Sequence, residues 1–237
     1  MNKKKLQLTV VLMCLLSVGL FAGNLWNQAD AIADSSSQIL PAVTEITFTE
    51  TNGYGVAVSK QSAISMMDET KTGRLTSRFF GDSDLKELMQ SYSDGLIFTP
   101  FSSWVEELSD LEATGTISQV NGVNCEEYYY ETTVDKNALF YNYYGDEDGQ
   151  TIDFSGYVWI SLESGAPLKI ENDYSVGDFD IVQTLNFTEE DGKIIPETIT
   201  TNGSETTISK LYGVLEKTDF IIEENIDEVF TASKYSR

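Results

Sequence analysis

The stretch from Tyr157 to Asp173, YVWISLESGAPLKIEND, reads as a β-hairpin: an apolar run, a Ser-Gly break and a second run that ends in polar residues. Loop parity decides what it presents, because partners on paired strands share a face. An even loop would pair Trp159 with Ile170 and set Ile160 against Lys169. An odd loop, such as Ser164-Gly165-Ala166, pairs Ile160 with Ile170 and Leu162 with Leu168. The odd loop gathers Val158, Ile160, Leu162, Leu168 and Ile170 on one aliphatic face and sends Tyr157, Trp159, Lys169 and Glu171 to the other. Each aliphatic side chain fully buried stabilises by roughly 1.5–3 kcal/mol, so the odd loop is the expected one. Trp159 then stands partly exposed beside Lys169, placed for a cation–π contact.

On either side the chain continues in short runs closed by turn signals. Glu45–Glu50 (EITFTE) alternates, with Ile46 and Phe48 on one face. Asn52-Gly53 marks a turn, Tyr54–Met67 stays β-compatible up to the break at Thr72-Gly73, and Arg74–Phe80 is a third short strand. Thr114–Val120 and Val123–Thr133 join through Asn121-Gly122, the strongest short-range hairpin signal. Asp135–Tyr144 is aromatic and fits a short helix or a loop, and Gly145–Gly149 is an acidic turn. After the opening hairpin come Phe179–Thr188, Lys193–Thr200 and Thr206–Lys217, with turns expected at Asp191-Gly192 and Asn202-Gly203. Asn225–Phe230 closes as a short terminal segment. Phe179, Ile181, Leu185 and Phe187 share one side of their strand, with Asp180, Thr184 and Asn186 on the other. That is a half-buried strand with one wet face.

Two short helices are expected between the third and fourth strands. Ser83-Asp84 is a candidate N-cap before Leu85, Leu88 and Met89, spaced i, i+3, i+4. Pro100-Phe101-Ser102 opens the second, in which Trp104, Val105 and Leu108 share a face and Glu106 and Glu107 lie near the N-terminus. Neither is long enough to persist alone, so both must pack on the sheet. The expected class is α+β, mainly β: a strongly curved antiparallel sheet, an incomplete barrel, packed on short helices. No internal repeat or low-complexity linker divides it.

The first residues read as a targeting segment. Lys3, Lys4 and Lys5 precede an apolar run from Leu6 to Ala22, and Ala29-Asp30-Ala31 and Ala31-Ile32-Ala33 offer A-x-A cleavage sites. The expected division is a signal peptide over residues 1–33 and one domain over 34–237, exported to a periplasmic or other extracytoplasmic space. A retained N-terminal anchor is the alternative, since the run approaches the roughly 20 residues that span a bilayer. Cys14 lies inside the run without the small residues of a lipidation site before it.

The whole chain carries 15 basic and 38 acidic residues, a net charge of −23. That charge argues against nucleic acid and against unaided docking on anionic lipid, since both demand Lys/Arg clusters. Solubility explains it most simply, with steering toward a basic partner as the sharper alternative. There is no histidine, which removes the usual general base and the commonest metal ligand. No disulfide is expected, because Cys125 alone remains after cleavage. Asp146-Glu147-Asp148-Gly149 offers hard oxygen ligands but lacks the full spacing of a calcium loop. No metal or cofactor is expected, and no pair of carboxylates is marked for glycoside hydrolysis.

Several motifs in order carry a resemblance. NGVNCEEYYYE from Asn121 to Glu131 is followed by Trp159, Ile160, Gly165, Pro167, Lys169 and Glu171 of the hairpin. Phe187, Gly192-Lys193 and Pro196 follow, and then the terminal Asn225 to Phe230. In this order, over roughly residues 115–230, they resemble the LolA-like lipoprotein-sorting proteins of the bacterial envelope. Ser161 stands where that family usually has an acid, and the N-terminal half lacks the long leading helix of its best-known carriers. The resemblance implies an incomplete barrel wrapped on helices, with an apolar concave cavity that shields acyl chains.

The cavity wall so implied consists of Val158, Ile160, Leu162, Leu168, Ile170, Phe179, Ile181 and Leu185, with Trp104 and Leu108 on a lid helix. The function implied is non-enzymatic: binding of a lipid or lipoprotein acyl chain by an exported monomer. A protein-interaction or stress-sensing module on the same fold, with an envelope protein as partner, is the rival reading, and a secreted hydrolase the third. The tyrosines Tyr128, Tyr129, Tyr130, Tyr141, Tyr143, Tyr144 and Tyr157 are expected mainly at strand pairs and core edges.

Overall fold

A computed structural model describes residues 25–82, 85, 99–102, 105–135, 151–176, 179–209 and 214–233. Ten strands make one antiparallel sheet: β1 (Ile39–Asn52), β2 (Ala57–Glu69), β3 (Leu75–Gly81), β4 (Val105–Val120), β5 (Val123–Asp135), β6 (Thr151–Ser161), β7 (Pro167–Val176), β8 (Phe179–Glu190), β9 (Lys193–Ser209) and β10 (Val214–Thr231). Their spatial order is β3-β2-β1-β10-β9-β8-β7-β6-β5-β4. From β4 to β10 the sheet is a plain meander. β10 then pairs with β1, from Ile39↔Thr231 to Asn52↔Thr218, and carries the N-terminal strands on its far side. The sheet is curved and not closed, with β3 and β4 at its edges. The mainly-β class and the incomplete barrel stand as expected.

Local chemistry explains the tight turns. Asn121 and Gly122 have φ of 52° and 82°, and Asp191 and Gly192 have 52° and 73°. Positive φ at both central positions matches the right-handed twist of the flanking strands. Asn202-Gly203 is different: it lies inside β9 and pairs with β8 and β10 at once. Here glycine makes room rather than a turn, since a Cβ on Gly203 would lie 2.1 Å from the Phe220 ring. The expected break after Thr200 is therefore replaced by one long strand, and Asn225–Phe230 is the end of β10 rather than a separate segment.

The second expected helix is also a strand. Val105 and Leu108 belong to β4, opposite Val134 and Thr132 of β5. Register shifts fall between Val105 and Glu107 and between Leu108 and Asp110. Each bulge inserts one residue, so inward side chains recur at 105, 108 and 111 and imitate a helical spacing. Leu85 of the first expected helix is helical and fully buried. The rest of that segment, Trp104 and the acidic turn at 145–149 lie outside the described residues.

A helix appears where none was expected, at residues 25–35, here α1. Leu25, Trp26, Ala29, Ile32 and Ala33 fall at i, i+1, i+4, i+7 and i+8, one apolar stripe. That stripe packs into the largest core cluster, with Trp26 and Ala29 buried against Tyr128, Val158, Ile160, Ile170 and Leu185. The Ser36 hydroxyl ties down the helix end: it donates to the Ile32 carbonyl at 2.7 Å and accepts from the Ile194 N–H of β9 at 3.0 Å.

Candidate functional site

The inner face of the sheet is legible row by row, because directly paired residues point the same way. One row runs Tyr128, Val158, Ile170, Leu185, Ile199, Glu224, Ile46, Ala63. The next runs Tyr130, Gly156, Asn172, Gln183, Thr201, Ile222, Phe48. Beyond it lie Phe154, Tyr174, Ile181, Gly203 and Phe220.

The opening hairpin supplies the centre of this face. Val158↔Ile170 and Trp159↔Lys169 are paired, and a bulge sets Ile160 against Pro167. The odd parity holds, so the two faces are those expected, but the register is shifted by two residues and the loop is longer. Ser161 is the reason. Its N–H donates to the Ala166 carbonyl, its carbonyl accepts from the Gly165 N–H, and its hydroxyl accepts from the N–H groups of Glu163 and Ser164. Leu162 is thereby carried off the face and stands 47% exposed. On the outer face the Lys169 ammonium sits 4.1 Å from the Trp159 ring centroid and 3.6 Å from the Glu171 carboxylate.

Of the expected wall, Val158, Ile160, Leu168, Ile170, Ile181 and Leu185 are buried on the inner face. Leu108 lies on an edge strand and is exposed. Phe179 is half-buried with its ring 5.8 Å from Phe220, edge to face. Phe48 stacks on Phe220 at 6.1 Å, so two further rings, neither of them among the expected residues, stand on the same inner face. α1 covers one end of the face. Its Trp26 ring is 4.6 Å from Phe101 and 5.8 Å from Tyr128, and Gln28 donates to the Ser164 carbonyl at 2.8 Å. Gly165, at φ +77°, is where Gln28 approaches; a Cβ there would lie 2.4 Å from the Gln28 side chain. The other end is built on Ile46, Ala63, Leu85 and Ile222, with Phe48, Phe79 and Phe220 only partly covered.

Between these ends runs a polar stripe. The Tyr130 hydroxyl reaches across β6 and donates to the Asn172 side-chain oxygen, and the Asn172 amide donates to Gln183 at 3.1 Å. Gly156 lets this happen, because a Cβ there would meet the Glu171 carbonyl at 1.8 Å and the Tyr130 hydroxyl at 3.1 Å. Burial, and then the Glu171 charge, hold the Tyr130 hydroxyl protonated well above its ordinary range. These rows bring two acids to the inner face: Glu50, opposite Phe220, and Glu224. Glu224 is partly covered, lies between Ile46 and Ile199 in its row, and burial pushes its pKa up to about 7. Among the described residues no cluster of acids and cysteines could hold a metal ion. Cys125 is fully buried, and burial pushes its thiol up, as for an inert core residue.

No family model and no curated protein matches the chain by sequence. Solved structures do. The chain is similar to a domain from Vibrio parahaemolyticus described as an outer membrane lipoprotein-sorting protein, at 12% identity and a TM-score of 0.42, over 90% of this chain and 93% of that one. A DUF1329 family protein from Desulfovibrio piger is similar at 13% identity and a TM-score of 0.38, over 91% and 95% of the two chains. The Pseudomonas aeruginosa MucA/MucB complex matches at 9% identity and a TM-score of 0.24, over 89% and 100%.

Proposed function

We propose that this protein is a non-enzymatic, exported binding protein that shields an apolar chain, a lipid or lipoprotein acyl group, on the inner face of its sheet. One observation carries the reading: the fully buried aliphatic rows continue into Phe48, Phe179 and Phe220, which are only partly covered. α1 seals the end at Tyr128 and Val158 with Trp26, so the chain would lie at the aromatic end. Each methylene transferred there contributes about 0.8 kcal/mol, enough for a long acyl chain to stay bound without any catalytic group. The buried Tyr130–Asn172–Gln183 stripe supports the role of a fixed wall, since its polar groups satisfy one another. The protein would act as a monomer in the envelope. A start of the mature chain at or before Leu25 belongs to the proposal, because cleavage after Ala33 would remove Trp26 and Ala29 from the core.

Native mass spectrometry of the protein purified from a bacterial envelope fraction tests this. The expected result is a mass increment of an acylated lipid that disappears in Phe220→Asp while circular dichroism stays that of the parent. An apo mass for the parent protein, under conditions that preserve a control carrier's lipid, would sink the reading.

A further inference from the structure

We propose that the edge at β3, which pairs with no further strand among the described residues, docks an extended acidic and apolar segment of a partner protein, which adds to the sheet as a further strand. The two edges of the sheet are unlike. β4 carries three register irregularities and the exposed acids Asp110 and Glu112. Bulges and charges of this kind blunt an edge against unwanted pairing. β3 pairs with β2 from Ala63↔Gly81 to Glu69↔Leu75 without a single shift, so its outer side is a regular template.

The side chains beside that edge form a recognition surface. On the outer face Phe80 lies opposite Ile64 and Arg78 opposite Met66. Phe80 is 53% exposed and Ile64 41%, with Met66 the next exposed apolar side chain along the same face of β2. An apolar contact and a cation thus stand two residues apart on one face, which a strand carrying an apolar residue and an acid at the same spacing would match.

Charge selects the occupant. Residues 57–81 hold Lys60, Lys71, Arg74 and Arg78 against Asp68 and Glu69, a balance of +2 inside a chain of −23. The patch is narrow: on the same outer face Glu45 lies opposite Ile64 of β2, and Glu223 follows one strand further on. Its width is that of a peptide strand, whereas a membrane contact would bring those acids down on anionic headgroups. A strand also completes the backbone donors and acceptors of the edge, which headgroups do not.

The test is fluorescence anisotropy with a fluorescein-labelled peptide of about nine residues, the length of an ordinary strand, alternating glutamate with valine and phenylalanine. Saturable binding that weakens with salt is expected, and Arg78→Glu and Phe80→Glu each weaken it about tenfold or more. Val182→Glu, at an exposed apolar position on the outer face of β8, leaves it unchanged. Circular dichroism keeps the variants comparable. Equal binding by Arg78→Glu, Phe80→Glu and the parent would overturn the proposal. So would binding to phosphatidylglycerol vesicles without peptide binding, or a dimer in sedimentation velocity that Phe80→Glu abolishes.

Discussion

Two glycines inside strands make room for a ring or a side chain from another strand. Asn202-Gly203 has the letters of a turn, yet Gly203 lies flat in β9 under the Phe220 ring. Gly156 sits in β6 so that Tyr130 can cross to Asn172. Gly156→Ala must push against the Glu171 backbone, which cannot rotate away as a side chain would, and a loss of about 2–4 kcal/mol is expected by urea denaturation. Tyr130→Phe leaves the Asn172 acceptor buried and unpaired, an expected loss of about 1–3 kcal/mol. Glu224 sets a pH dependence. Burial raises its pKa from 4.5 to about 7, so between these values the folded protein keeps a proton the unfolded chain has released. Its contribution is therefore most favourable below the lower value and is lost as pH rises through the upper one, by about 3 kcal/mol at most. Glu224→Gln is expected to raise the melting temperature at pH 8 and to change it little at pH 4. Equal shifts at both pH values would show that the carboxyl is hydrated.

At the scale of elements, the bulges of β4 and the position of α1 are the main departures from expectation. A strand bulged twice in succession places inward residues three apart, and a periodicity reading takes it for a helix. α1 carries an apolar stripe from Leu25 to Ala33, a full helical signal, but the A-x-A triplets over the same residues pointed to processing instead. Trp26→Ala empties a site packed on Phe101 and Tyr128, and a cost of about 3–5 kcal/mol is expected in chemical denaturation. A chain beginning at Asp34 is expected to unfold at markedly lower urea than one beginning at Leu25. Amino-terminal sequencing of the exported protein places its first residue at or before Leu25; a mature chain starting at Asp34 would show that α1 is dispensable.

Across the whole molecule, strands far apart in the chain decide what the inner face is. β10 brings Phe220 beside Phe48 of β1, residues that no local pattern connects. The turns at Asn121-Gly122 and Asp191-Gly192, the alternation of β1 and β8, and the two faces of the opening hairpin were all legible in the sequence. Each depends on φ at one or two residues or on the fixed period of a strand, both local properties. The hairpin's register, the run of β9 through Asn202-Gly203, the stripe from Tyr130 to Gln183 and the burial of Glu224 were not. Those depend on which backbone lies alongside, on whether Ser161 turns its hydroxyl into the loop, and on rings laid over glycines from other strands. Such choices are made by packing between distant segments, and a chain read residue after residue does not contain them.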